Sequence, residues 1–552
     1  MITLIIILPL VGSFLFININ EEASINSDNA SFSSINIQQK NNSIIKQIGL
    51  STSLIVLFLT IFIFSKSYLI LPNFYNELES LTKLVNIYPN SVNNIQFGTL
   101  NSSSINQLEN IDSISLYYIL ITAFITPICL LSNWRDITIK RKYFVFSFLL
   151  LETLQISFFL VTDLLLFYIY FESVLIPLFM LIGIFGSSIN RIRAAFLLFL
   201  YTLAGSLPML LSILFLKYNL GSLDFYYLSM YEISPEIQKI IGYAFFLSFA
   251  IKTPLYPFHL WLFRAHAEAI TPVSVLLAAI ILKFATYGFL RVLLPLFPDF
   301  VSNNLYLIQT WAIITLIYSS LAILRQVDIK VIIAYSSVAH MAVCVLGIFS
   351  NNLMGIEGAI LLSLGHGLVS PGLFILMGGI LYDRYHTRLI NYYRGLTMKM
   401  PLFSIFFFLF TLFNASVPLS LNFVGEFLSL AGVFQSSPVA GTLSATSIVF
   451  SAIFSIFLFN RIAFLGFSPY LNSERITLNK KLKLGDLNRL EFYLLFFLLL
   501  PIVLFGFFPN FILESLHHDV SNLLYEFKNT ALFEDKFYLE LASSDNFFSL
   551  KE

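Results

Sequence analysis

Charge is the scarcest commodity in this 552-residue chain: Asp, Glu, Lys and Arg together make up 11%, where a soluble protein carries about 25%. So few charges cannot clothe a water-soluble globule of this size, which excludes a soluble enzyme and a disordered chain. The 31 basic residues only balance 31 acidic ones, so no basic excess exists to meet phosphate, and a nucleic-acid binder is excluded too. Cysteine is nearly absent. Cys129 and Cys344 are too few for a cysteine-ligated iron–sulfur cluster, which takes four thiolates, or for a disulfide scaffold. No Gly-rich nucleotide loop opens a βαβ unit. No basic residue precedes the first apolar run and no small-residue cleavage pattern follows it, so that run does not read as a removable signal peptide. The first arginine is Arg135, which argues against an arginine-rich transit peptide and for a chain made where it is inserted, in a bacterium or an organelle. The abundance of Ile and Asn and the 60 Phe are what A+T-rich codons supply, which favours an organelle genome.

What is present is apolar sequence, 57% of the chain, in runs long enough for helices that cross a bilayer with about 20 residues each. Fourteen runs lie near residues 1–17, 48–71, 114–133, 142–161, 163–186, 194–216, 240–263, 272–297, 305–324, 331–349, 354–382, 401–435, 442–466 and 491–513. They are continuous rather than alternating at period two, which excludes a transmembrane barrel. The expected fold is an all-α polytopic membrane protein. Counting residues at run ends with the loops they adjoin, loops after odd-numbered runs hold 21 Lys and Arg and loops after even-numbered runs four, an asymmetry that places both termini on the non-cytoplasmic side. The polar stretches 18–47 and 72–113 read as surface loops, the acidic tail 514–552 as a docking segment, and Arg325, Asp328 and Lys330 as a surface loop cluster.

An offset of 164 residues brings Ser173-Val174 onto Ser337-Val338, Gly183-Ile184-Phe185 onto Gly347-Ile348-Phe349, and Pro254-Leu255 onto Pro418-Leu419. Five runs per unit is an odd number, so the second unit must be inverted relative to the first, the architecture of transporters with sites near mid-membrane at broken helices. The divisions expected are 1–141, 142–297 and 305–466 for the leading helices and the two repeats, and 467–552 for the last helix and tail. Runs 7 and 12 look broken, the first at Pro254 and Pro257, the second around Asn414, Pro418 and Asn422. Proline removes a donor and clashes with the preceding turn, and the freed carbonyls must face protein or water rather than lipid.

A charge at the bilayer centre costs roughly 2.5–3.5 kcal/mol on insertion scales and reads as functional by default. Glu172, Lys252, Lys283, His340, His366 and Glu426 all fall deep in apolar runs. Under the offset Glu172 meets Ser336, and His340 lies one turn along the same face, so the second repeat offers histidine where the first offers a carboxylate. Lysine loses its charge readily when desolvated and a neighbouring carboxylate restores it; histidine relays protons through either ring nitrogen. The expected path runs Glu172–Lys252–Lys283–His340–His366–Glu426, bridged by water. Glu152, Tyr201, Thr202 and His259 are candidates for tuning it. His259 and His266 flank the exit of run 7, and Asp163 fits a helix N-cap.

At these residues the chain becomes familiar. LLLFYIYFESVLIPLFMLIGIFG, RIRAAFLLFLYTLAGSLPMLL, IKTPLYPFHLWLFRAHAEAITPVSVLLAAIILKFATYGFLR, RQVDIKVIIAYSSVAHM and LNFVGEF closely resemble the chain 4 family of antiporter-like subunits of NADH:ubiquinone oxidoreductase, respiratory complex I, over roughly 114–466. The resemblance implies about 14 helices with two inverted five-helix repeats and broken helices 7 and 12. It implies a coupled pair at Glu172 and Lys252, a central relay at Lys283, His340 and His366, and an outlet at Glu426. Glutamate at 426 and the lack of a long lateral helix after run 14 favour chain 4 over its sister chains. Phe263-Arg264 departs from the family's usual Pro-Lys. The family transfers electrons from NADH to a quinone, coupled to proton translocation across the mitochondrial inner membrane. By resemblance NADH, FMN, iron–sulfur clusters and ubiquinone belong to the complex and none is bound by this chain. Its expected partners are the other membrane-arm subunits, neighbouring antiporter-like subunits and lipids. The competing expectation is a stand-alone cation/proton antiporter subunit.

Overall fold

The computed structural model describes residues 2–15, 43–66, 112–134, 140–186, 188–231, 233–464, 466 and 485–524. The polar stretches 18–42 and 72–111 and the tail beyond 524 lie outside these. The described chain is nearly all helical, and eleven of its helices are long and apolar enough to cross a membrane. In chain order the helices are α1 (Ile2–Leu15), α2 (Ser43–Lys66), α3 (Ser113–Ser132), α4 (Arg141–Leu160), α5 (Leu164–Phe185), α6 (Arg191–Leu220) and the short α7 (Phe225–Ser229). There follow α8 (Pro235–Lys252), α9 (Leu260–Glu268), α10 (Thr271–Leu296), α11 (Pro298–Ile323), α12 (Ile329–Ile348) and α13 (Leu353–Tyr385). The series ends with α14 (Pro401–Asn414), α15 (Leu421–Ser436), α16 (Pro438–Ala463), α17 (Arg489–Phe507) and α18, a helix over 510–524.

Burial sorts these helices into layers. The most apolar stretches of α10, α12 and α13 are completely enclosed by other helices, whereas α2 and α17 are mostly exposed, their Leu, Ile and Phe side chains facing outward as lipid requires. Inside a bilayer no hydrophobic force draws helices together, so close packing decides, and small residues permit it. The α13–α15 contact is the clearest case: a Cβ added at Gly358 would run into Leu428 and Ser429 of α15, and one at Gly425 into Leu362 of α13. These two glycines let the backbones approach, and the approach sets His366 and Glu426 on adjoining helices.

Two short backbone bridges recur at matching places. Asp163 pairs with Asp224 and Asp328 with Leu389. Around the first, Leu164 N–H donates to Leu223 O (3.0 Å) and Phe225 N–H to Thr162 O (2.9 Å); around the second, Ile329 N–H donates to Arg388 O (3.0 Å) and Ile390 N–H to Val327 O (3.0 Å). Both aspartates also cap the helix that follows. Asp163 accepts from Leu165 and Leu166 N–H at the start of α5, and Asp328 from Lys330 N–H at the start of α12.

Two helix pairs are joined by irregular turns in mid-bundle. α8 stops at Lys252 and α9 begins at Leu260, with Pro254 and Pro257 between them; α14 stops at Asn414 and α15 begins at Leu421, with Pro418 between. Ser416 and Leu419 sit at positive φ. The freed backbone groups are met by protein: Trp261 Nε1 donates to Ile251 O (2.9 Å), Trp311 Nε1 to Tyr256 O, and Tyr256 N–H to Thr315 Oγ1 (3.1 Å).

Candidate functional site

Lys252 is the last residue of α8, where the carbonyl end of a helix dipole favours a cation. It is buried, its Nζ donating to Phe171 O (2.7 Å) and lying 3.2 Å from the centre of the Phe171 ring and 5.4 Å from that of Phe284. Glu172 follows Phe171 on α5, just before the helix loosens at Val174. Both its carboxylate oxygens are buried without a hydrogen-bond partner. Lys252 therefore rests on a carbonyl and an aromatic face rather than in an ion pair with Glu172, although each lies within the other's electrostatic reach.

Lys283 comes next, because its neighbour Phe284 is the second ring near the Lys252 ammonium. It lies on fully enclosed α10, which widens into π-helical turns at Leu277–Ile281 and Phe289–Leu293. Such turns release carbonyls from the regular ladder and recur at functional sites. Here the Ala278 carbonyl accepts from Lys283 Nζ (2.6 Å), and the same ammonium reaches His366 Nδ1 (2.8 Å) on α13. The His366 and His340 rings lie 5.8 Å apart, and His366 Nε2 and both His340 nitrogens have no hydrogen-bond partner. Asn414 and Glu426 also stand within reach of His340. Glu426 is buried and held by two hydroxyls, Ser416 Oγ and Ser447 Oγ, the latter at 3.0 Å.

The order along this row differs from the one expected. Lys283 meets His366 directly and His340 follows, so the sequence of groups is Lys283–His366–His340–Glu426. Chain order does not show this, because α10 packs against both α12 and α13 and only the packed side chains decide which histidine Lys283 meets.

The remaining candidates fall around the row. Glu152 is enclosed on α4, one oxygen accepting from Thr126 Oγ1 (2.8 Å) and the other without a partner; Gln155, one turn on, is buried with its whole amide unpartnered. Thr202 commits its hydroxyl to Leu198 O (2.7 Å) within its own helix, and Tyr201 is half-buried. His259 sits in an aromatic cage of Tyr256, Tyr318 and Tyr335 with both nitrogens unpartnered. His266 stacks on Phe374 at 4.6 Å.

The surface cluster expected at Arg325, Asp328 and Lys330 does not form as one. Arg325 is exposed, but Lys330 is buried, its Nζ donating to Ala269 O (2.8 Å) with the Tyr382 ring 5.8 Å away. The first turn of α12 tucks under α9 and the end of α13, and sequence shows only a lysine at a helix start. Also missed was Gln155, whose position in the middle of an apolar run was the available signal. Among the described residues, no group of three or more His, Cys, Asp or Glu is placed to hold a metal ion.

Comparison with known proteins bears on this arrangement. The family model described as "NADH:quinone oxidoreductase/Mrp antiporter, TM" matches residues 161–454. A protein of Mycosarcoma maydis named NADH-ubiquinone oxidoreductase chain 4 is 51% identical over 525 residues, covering 95% of this chain and 99% of its own. The protein of the same name from Marchantia polymorpha is 45% identical over 76% of this chain and 83% of its own. Among solved structures, a chain of respiratory complex I from Thermus thermophilus with bound NADH superposes with a TM-score of 0.74 at 23% identity, covering 96% of this chain and 100% of that one. A chain of an archaeal membrane-bound sulfane sulfur reductase gives 0.72 at 18%, covering 95% and 99%. These two show a shared fold.

Proposed function

The chain belongs to the NADH-ubiquinone oxidoreductase chain 4 family, and from that membership we propose how its buried side chains carry protons. It is an antiporter-like membrane-arm subunit of complex I, with other membrane-arm subunits as partners. Protons move along the mid-plane through Glu172, Lys252, Lys283, His366, His340 and Glu426. The observation that carries this reading is the 2.8 Å contact between Lys283 Nζ and His366 Nδ1 inside fully enclosed helices. Two groups that each hold or release a proton share one hydrogen bond there, out of reach of lipid. On one side of it Lys252 lies within electrostatic reach of a carboxylate it does not pair with; on the other His340, its two nitrogens without hydrogen-bond partners, lies within reach of Glu426. Glu152 and His259 tune the row from its edges.

The same reading takes the chain as fourteen spans. Eleven helices cross singly; the other three runs are α1, the α8–α9 pair broken at Pro254 and Pro257, and the α14–α15 pair broken at Pro418. Two inverted five-helix repeats, 142–297 and 305–466, are supported by the matched Asp163 and Asp328 caps and their matched bridges. Residues 1–141 and 467–552 flank them. Redox chemistry, with its NADH, FMN, iron–sulfur clusters and ubiquinone, belongs to partner subunits, and this chain holds no redox centre. The chain lies in the mitochondrial inner membrane with both termini on the intermembrane-space side.

The test is Lys252→Ala in the intact complex. Assembly persists, while quinone reduction coupled to pumping falls sharply; an assembled, fully pumping variant rejects the path. Co-purification with flavin and iron–sulfur subunits separates this reading from a stand-alone cation/proton antiporter.

A further inference from the structure

On α10 three groups stand one turn apart on one face: Lys283, Tyr287 and Arg291. Lys283 is the centre of the row described above; the other two lead away from it toward one end of the bundle. His366, the partner of Lys283, has Ser363 one turn before it on α13. The Ser363 hydroxyl meets Tyr118 Oη at 2.8 Å, and the Tyr118 ring stands edge-on to Tyr287 with centres 5.8 Å apart. Tyr287 Oη lies 2.9 Å from Ser115 Oγ and donates to Phe159 O (3.2 Å). Tyr118 and Tyr287 are almost wholly buried.

The line ends at a cavity of about 170 Å³ lined by Tyr287, Arg291, Asp112, Asp519 and Asn522 among others. Arg291 pairs with Asp112 across it. Asp519 accepts from Ser113 N–H (2.6 Å) and from the Ser113 hydroxyl, and His518 lies 3.3 Å from its other oxygen. Helix α18 covers the cavity, pressing a stripe of Ile512, Leu516, Val520 and Leu524 on the bundle. Burial raises the Asp112 carboxyl above its ordinary value; Arg291 opposes this and Asp519 adds to it. The mid-plane path uses none of these groups.

We propose that Ser363, Tyr118, Tyr287 and Ser115 form a second proton outlet, leading from the Lys283–His366 pair to the cavity under α18, where the Arg291–Asp112 ion pair gates it. The inference rests on the mid-plane path, because Lys283 supplies the proton. A hydroxyl both donates and accepts, so each one takes a proton on one side as it passes its own on the other once it turns from the backbone carbonyl it holds, Ile360 O for Ser363 and Phe159 O for Tyr287; Tyr118 and Tyr287 touch through their rings, and a water carries the proton between their hydroxyls. Tyr118 and Tyr287 end unchanged, Lys283 ends neutral, and the proton leaves on an acceptor in the cavity. His366 and Ser363 are three residues apart, about 4.5 Å along the helix axis, an interval that a single water spans. Glu426 serves as the outlet of the second repeat; this line gives the first half its own.

The test uses the intact complex in liposomes, with Tyr118→Phe and Tyr287→Phe made separately. Phenylalanine keeps the ring packing and removes only the hydroxyl. Proton-coupled NADH:quinone turnover is expected to fall roughly tenfold in each, a modest share of what a positioned proton-transfer group contributes. Electron transfer from NADH to an artificial acceptor stays at the parent rate. If either variant fails to assemble, Ser115→Ala replaces it with the same expectation. Parental pumping in the tyrosine variants, together with loss of pumping in Lys283→Met, overturns the outlet and leaves the mid-plane path standing. Parental pumping in Lys283→Met as well overturns both.

Discussion

Lys283 offers the sharpest test of the central row, because two substitutions separate its charge from its proton. Neither of its hydrogen-bond partners is a carboxylate: they are the Ala278 carbonyl at 2.6 Å and an imidazole nitrogen at 2.8 Å. Lys283→Met leaves those two acceptors unpartnered, at about 1–3 kcal/mol each. It also removes a buried ammonium whose desolvation costs several kcal/mol. The terms nearly cancel, so the complex assembles. Transport does not survive, since a positioned proton-transfer group contributes about 10²- to 10⁴-fold, or roughly 2.7–5.5 kcal/mol of barrier. Lys283→Arg keeps a cation at the site but cannot release its proton. It is expected to fail as completely as methionine. The assay is NADH oxidation by the reconstituted complex with a pH-sensitive dye inside the liposome, alongside native electrophoresis for assembly. An assembled Lys283→Arg complex that pumps at the parent rate would refute the argument, because a fixed charge would then suffice.

Other consequences follow from single contacts. Ser447→Ala removes one of the two hydroxyls on Glu426 and should cost about 1–3 kcal/mol at that carboxylate, read as a reduced coupled turnover that Ser447→Thr restores. Gly358→Leu forces a side chain into Leu428 and Ser429; overpacking of this kind costs about 1–3 kcal/mol and should lower the melting temperature of the complex, with Gly358→Ala intermediate. Asp163→Ala and Asp328→Ala each remove a helix cap worth about 0.5–2 kcal/mol. Their losses of thermal stability should be similar and largely reversed by asparagine; a large loss in only one would break the equivalence of the two bridges.

Much of the molecule can be read along the chain because a membrane imposes local rules. Each apolar run must close its own hydrogen bonds, so length and hydropathy alone predict most of the helices. The rarity of charge made Glu172, Lys252, Lys283 and Glu426 stand out one by one. Lys330 escaped for the opposite reason: a lysine in the first turn of a helix ordinarily snorkels to the interface, and only the packing of α12 beneath α9 buries it. Gln155 escaped because an uncharged amide adds little to a count of charges.

Composition and periodicity, then, decide that this chain is a helical membrane protein with ionisable groups in its interior, since both follow from the cost of bare polar groups in hydrocarbon. Which of those groups touch is a property of the packed bundle. Lys283 and His366 are 83 positions apart and Ser115 and Tyr287 are 172 apart, and no periodicity reaches that far. Their meeting depends on how closely neighbouring backbones approach. Glycines at the contact, π-helical turns in α10 and the seating of α18 set that approach together, and each acts only once the others are in place.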